Sequence, residues 1–184
     1  MRTLPQPDQI HRLLREIRLR AAPDAARCIQ CGKCSAGCPM ASESDLRPHN
    51  VMRLVMQDRR EQALRDESIW LCLTCETCSA RCPNACDPAR VIDALREMSI
   101  EAGVADMPRT INAFHKAFLD QIRSNGRLHE FGMVMEYKLR SGELMKDATS
   151  APAMIQRGKL SFRAERIEGM SEIKRIFAKC GVTP

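Results

Sequence analysis

The chain has 184 residues and a formal charge of +6, with ten Cys, eleven Met and only 4% aromatic residues. That length accommodates one domain with arms rather than two large domains. No run of about 18 apolar residues exists to cross a membrane. The opening Met1-Arg2-Thr3-Leu4-Pro5 shows no apolar h-region, so no secretory leader is expected. The expected location is cytoplasmic; in a reducing cytosol ten cysteines point to metal, not to a disulfide framework.

In chain order, the pattern predicts a helix over residues 8–22, with Ile10, Leu13, Leu14 and Ile17 on one face, Asp8 as N-cap and Pro23 at its end. A Cys-rich loop follows over residues 28–39. A second helix is expected over 48–66, with Val51, Leu54, Val55 and Leu64 inward, before a second Cys-rich loop over 72–83. Asp87-Pro88 reads as an N-cap with Pro at the first helical position. The helix after it carries Val91, Ile92, Leu95 and Met98 and stops near Gly103. Another begins near Pro108, shows Ile111, Phe114, Phe118 and Ile122, and ends at Asn125-Gly126. A shorter helix over 130–140 precedes Gly142, and residues 145–158, centred on Ala148 to Pro152, read as a linker. A last helix is expected between Ser171 as cap and Gly181 as stop. The segment 159–163 is too short for a strand, so the fold class is all-α. Residues 1–105 form the loop-bearing domain and 106–184 a helical extension, linker and tail for partner docking.

One internal repeat stands out. Cys28-Ile29-Gln30-Cys31-Gly32-Lys33-Cys34-Ser35-Ala36-Gly37-Cys38-Pro39 returns 44 residues later as Cys72-Leu73-Thr74-Cys75-Glu76-Thr77-Cys78-Ser79-Ala80-Arg81-Cys82-Pro83. The spacing C-x2-C-x2-C-x3-C-P is that of bacterial [4Fe–4S] ligation, in which three thiolates wrap three corners of one cubane and the fourth reaches the other. Two such clusters are expected. Cys28, Cys31 and Cys34 take Cys82 as fourth ligand, and Cys72, Cys75 and Cys78 take Cys38. A Cys₄ zinc site uses two CxxC pairs and has no use for a third Cys and a Cys-Pro in each copy. Gly32, Ser35, Ala36, Gly37, Ser79 and Ala80 are small enough to let backbone N–H groups approach cluster sulfurs.

Two cysteines fall outside the pattern. Cys86 reads as a small apolar residue at a helix entrance, with contact to a cluster or service as a spare ligand as the alternative. Cys180 shares a face with Ile173, Ile176 and Phe177 and is expected in the core. His11, His49, His115 and His129 form no spaced set and read as surface or packing residues. Lys33 replaces the Thr77 of the second copy; it reads as solvated, the alternative being a charge that makes the clusters unequal. Trp70 reads as packing beside Cys72, the alternative being a cluster shield or a partner anchor, and Met52, Met56, Met98, Met133 and Met135 as gap-filling core or interface side chains.

The charge and the absences agree. Eight thiolates and two [4Fe–4S]²⁺ cores together contribute about −4, which takes the formal +6 to roughly +2. No Lys/Arg block interleaved with aromatics suggests nucleic acid. There is no GxG, no Cys-Cys pair and no nucleophile–base constellation. Fully Cys-ligated cubanes offer substrate no open position, so a catalytic residue is not expected.

The two Cys motifs, with Ile69-Trp70-Leu71 before the second, and the tail Gly158-Lys159-Leu160 with Ile173-Lys174-Arg175-Ile176-Phe177, resemble the two-cluster C subunits of heterodisulfide reductases. The motifs alone are shared with the wider α-helical ferredoxins, including iron–sulfur subunits of succinate and glycerol-3-phosphate dehydrogenases. The resemblance implies an α-helical ferredoxin fold with an N-terminal helix and a C-terminal arm. It also implies an electron relay from a flavin-containing partner to one that reduces a disulfide, without membrane insertion. The alternatives are an iron–sulfur subunit of a membrane-associated, quinone-linked dehydrogenase and a non-redox protein stapled by its clusters.

Overall fold

In the computed structural model, which describes residues 11–145, 154, 156–157 and 162–180, every regular element among the described residues is helical. The all-α expectation therefore holds. The chain divides into two units, Met1–Met107 and Pro108–Pro184.

The first unit is built around one helix. α1 spans Arg12–Arg20, α2 Lys33–Ala36, α3 Pro48–Met56, α4 Arg60–Arg65, α5 Ser68–Leu71, α6 Thr77–Ala80 and α7 Pro88–Glu101. α7 packs against α1, α3, α4, α5 and α6. Its Val91, Ile92, Leu95 and Met98 are buried, as their place on one helical face predicts. Asp87 accepts the Arg90 N–H and Pro88 opens the helix, so both expected start signals are present. Leu13 and Ile17 of α1, Val51, Met52 and Val55 of α3, and Ile69 and Trp70 of α5 complete the core.

Two expectations change in this unit. The N-terminal helix starts at Arg12, behind His11 in the left-handed region at φ 66°, and stops at Arg20; Asp8 and Ile10 lie outside the described residues. The single helix expected over 48–66 is two helices, broken where Asp58 takes φ 57°. The break has a use. Asp58 Oδ1 accepts the Leu13 backbone N–H at 2.6 Å, and His11 Nδ1 lies 3.0 Å from the Met56 carbonyl, so the turn caps α1. α4, released from the axis of α3, reaches α7 instead, and the Leu64 carbonyl accepts the buried Ser99 hydroxyl at 2.7 Å.

In the second unit α8 spans Arg109–Asn125 and α9 Glu130–Ser141, with Gly126 and Gly142 as left-handed C-caps. Polar ties hold the pair antiparallel. Arg140 bridges to Asp120 at 2.6 Å and Glu136 at 2.7 Å, Gln121 Nε2 donates to Glu136 at 3.0 Å, and Arg109 Nε donates to the Arg140 carbonyl at 3.2 Å. Phe114 and Phe118 do not form the buried face that their spacing suggests: Ala113 and Ala117 face inward, and the two rings are 44% and 38% exposed. α10, Met170–Lys179, begins after Gly169 at φ 79° rather than at Ser171. None of its residues is buried, and Cys180 is exposed rather than in the core. The linker centre 148–152, the tail segment 158–160 and Gly181 lie outside the described residues.

Candidate metal centre

The two Cys-rich loops share one backbone path. Gln30 and Gly32 of the first adopt φ 56° and 76°; Thr74 and Glu76, 44 residues on, adopt 51° and 57°. L-residues other than Gly rarely enter this region, and their return at equivalent places marks a shape held for the site. Each left-handed step opens a one-turn helix, α2 or α6, carrying the third Cys, Cys34 or Cys78. The fourth then closes a turn onto the Ser behind it, Cys38 N–H to Ser35 O at 3.2 Å and Cys82 N–H to Ser79 O at 3.1 Å. α2 packs against α6, which brings the loops side by side.

A serine pins each loop to the helix that follows it. Ser35 Oγ accepts the His49 N–H at 3.0 Å, and Ser79 Oγ accepts the Ala89 N–H at 3.2 Å. Both acceptors satisfy a donor in the first turn of a helix that opens with Pro, Pro48 or Pro88, where backbone N–H groups have no partner within the helix. The hydroxyls differ in their other partner. Ser35 Oγ lies 2.6 Å from His49 Nδ1, whereas Ser79 donates to Asp87 Oδ1 at 2.5 Å.

Between the loops lie two cavities. The first, about 350 Å³, is lined by Cys28, Cys31, Cys34, Cys82 and Cys86, with Gly32 and His49 in its wall. The second, about 490 Å³, is lined by Cys38, Cys72, Cys75 and Cys78, with Pro39 and Ile92 beside them. Each thus combines three cysteines of one loop with the fourth of the other. Among the described residues no three His, Cys, Asp or Glu side chains converge on a point that would hold a single ion. Thiols spread around a hollow suit a polynuclear core, whose iron atoms each need one thiolate, better than one tetrahedral zinc. None of the ten cysteines is in a disulfide.

Donors already point at the sulfurs. Thr74 N–H lies 3.5 Å from Cys72 Sγ, Cys86 N–H 3.3 Å from Cys82 Sγ, and Gln30 Nε2 3.4 Å from Cys28 Sγ. Such contacts stabilise charge on sulfur and raise cluster potentials. Burial pushes the Cys78 thiol up to about 11 and Cys86 up to about 12, and it raises Cys34 and Cys72 as well. At Cys72 the nearby Arg96 cation opposes the rise, and at exposed Cys75 the Thr77 hydroxyl, 3.4 Å away, lowers the value. Metal binding must displace these protons.

Arg96 was not evident as a site residue in the sequence. Its Nε donates to the Ile69 carbonyl at 2.6 Å, Nη2 donates to the Cys72 carbonyl, and Nη1 reaches Thr74 Oγ1 at 3.2 Å and Asp93 at 3.1 Å. The guanidinium also sits 6.0 Å from the centroid of Trp70, whose ring is buried as expected. One side chain thereby fixes the entry to the second loop. Lys33 is exposed, in line with a solvated lysine, and Cys86 lies in the wall of the first cavity as well as at the entrance of α7.

Residues 24–86, which include all nine cysteines of the two cavities, match the family model of the 4Fe-4S dicluster domain. Over those residues the chain is similar to iron–sulfur proteins. A stretch of 78 residues is 37% identical to the C subunit of ferredoxin:CoB-CoM heterodisulfide reductase from Methanosarcina acetivorans. It covers 42% of this chain and 31% of that relative, so the match spans about a third of the relative's length. The likeness to heterodisulfide reductase C subunits read from the motifs is borne out over that stretch. Among the described residues no helix is long and apolar enough to cross a membrane.

Proposed function

We propose that this protein is the electron-relay component of a heterodisulfide reductase-type complex, holding two [4Fe–4S] clusters between a flavin-containing subunit and one that reduces a thiol-derived disulfide. In this reading Cys28, Cys31, Cys34 and Cys82 hold one cluster, and Cys72, Cys75, Cys78 and Cys38 hold the other. The observation that carries it is the make-up of the two cavities, each with three cysteines of its own loop and one from the opposite loop. Each cluster, when bound, takes up and returns one electron. The chain supplies the eight thiolates, the small residues that admit backbone N–H groups, and the α2–α6 contact that keeps the two sites adjacent.

A cubane held by four thiolates keeps no open coordination position for substrate, so bond chemistry belongs to partners. The residues after 107, with Phe114, Phe118 and Leu119 of α8 exposed, are the arm that docks to them. The free thiols fit a reducing cytoplasm. The test is anaerobic purification followed by reconstitution. The chain should carry about eight iron and eight sulfide, reduce and reoxidise reversibly, and show disulfide reductase turnover only with both partner subunits. Zinc in place of iron, or disulfide reduction by the isolated chain, contradicts the relay.

A further inference from the structure

The first cavity has one thiol too many. Five sulfurs line it against four in the second, and the extra one is Cys86, which is 1% exposed. The repeat sets Ser42, exposed and absent from either cavity wall, against this position, so the surplus is confined to one site. The local backbone delivers Cys86 to the corner that Cys82 occupies. Pro83 fixes the chain direction after Cys82, Ala85 takes φ 51°, and the chain folds back until the Cys86 N–H reaches Cys82 Sγ at 3.3 Å. The Cys86 thiol donates weakly to the Asn84 carbonyl at 3.8 Å. A buried cysteine is ordinarily a small packing residue. Here it shares a wall with four proposed iron ligands and hangs from the same turn as one of them.

We propose that Cys86 is a reserve ligand of the first cavity, able to take the fourth corner of the cluster when Cys82 does not hold it. The exchange moves no electron. The Cys82–iron bond breaks and that sulfur takes up a proton, while the Cys86 thiol loses its proton and bonds the same iron. The second cluster has no such substitute for Cys38. The inference rests on the two-cluster reading above, and the test separates the two.

Wild type, Cys86→Ala, Cys82→Ala, Cys82→Ala/Cys86→Ala and Cys38→Ala are purified anaerobically. Iron, sulfide and the electron paramagnetic resonance spectrum of the reduced protein are measured. Wild type and Cys86→Ala should match at about eight iron. Cys82→Ala should keep about eight iron with an altered signal from one cluster, and the double variant and Cys38→Ala should each lose iron from one cluster. If Cys82→Ala loses as much iron as the double variant, or the double variant loses none, Cys86 is not the reserve while the two-cluster reading stands. If wild type itself does not hold about eight iron, the two-cluster reading falls and the reserve role with it. Should Cys82→Ala not fold, Cys82→Ser with and without Cys86→Ala gives the same comparison. Cysteine displacing a serine oxygen must make those two spectra differ, and identical spectra overturn the proposal.

Discussion

Ser35 Oγ sits 2.6 Å from His49 Nδ1 and accepts the His49 backbone N–H at 3.0 Å, so one hydroxyl joins the first Cys-rich loop to the start of α3. Ser35 is 7% exposed, and water cannot readily replace it. Ser35→Ala leaves a half-buried donor in the first turn of α3 unpaired and should cost about 1 kcal/mol. A thermal unfolding midpoint unchanged from wild type would show the bond to be incidental. Ser79→Ala, which breaks the matching bond to Ala89 at 3.2 Å, should fall in the same range.

Crossed ligation makes a sharp pair of expectations. Cys38→Ser should perturb the spectrum of the cluster held by Cys72, Cys75 and Cys78. Cys82→Ser should perturb the one held by Cys28, Cys31 and Cys34. Damage confined to the cluster of the mutated cysteine's own loop would replace the crossed scheme with a local one.

Arg96 places a cation beside the second loop alone. Arg96→Leu removes that charge and its bonds to the Ile69 and Cys72 carbonyls, so the potential of the cluster bearing Cys72 should fall while the other stays put. Arg96→Lys should recover part of the shift, since it returns the charge without the planar fork. Spectroelectrochemical titration reads both, and equal movement of the two potentials would point to a global loosening instead.

The buried thiols fix a pH dependence for the metal-free chain. Cys78 rises from 9.0 to about 11 in the folded protein because burial disfavours its thiolate. A raised value means that the folded state binds the proton more tightly. Its contribution to stability is therefore present below pH 9 and is lost as pH rises from about 9 to about 11. Urea midpoints of the apo chain should drop over that window. Cluster reconstitution should move the other way and become more complete from about pH 6.5 to about 8.5, because ligation releases protons.

Asp58 offers a test of the fold apart from metal. Asp58→Ala removes the acceptor for the Leu13 N–H and places Ala at φ 57°, whereas Asp58→Gly removes only the acceptor. The Gly variant should lose about 1 kcal/mol, as lost helix caps do, and the Ala variant more. Urea denaturation of the two side by side separates cap from strain.

The helical fold and the eight motif cysteines were legible because both rest on local spacing. The one-faced spacing of Val91, Ile92, Leu95 and Met98 and the Cys repeat need no tertiary information. The break at Asp58 was not legible, because residues 48–66 keep one helical pattern and the turn is imposed by α1, far away in sequence. Ser35 and Ser79 were read as small fillers; their identical placement after the third Cys of each copy was the available signal for a bonding role. Arg96 gave no local sign at all, since its partners at Ile69, Cys72 and Thr74 lie 22 to 27 residues away. Phe114 and Phe118 show that spacing defines an apolar stripe but not whether anything covers it.

The packing of α2 on α6 has a consequence for assembly. If each loop lends its last cysteine to its neighbour, the first cubane to form ties residue 28 to residue 82, or 38 to 78, and closes a long loop of chain around the other hollow. Closing that loop removes most of the search that the remaining cysteines would otherwise make. The second cubane then enters a nearly finished cage. Loading should thus be cooperative, the second cubane entering a wild-type chain faster than the first.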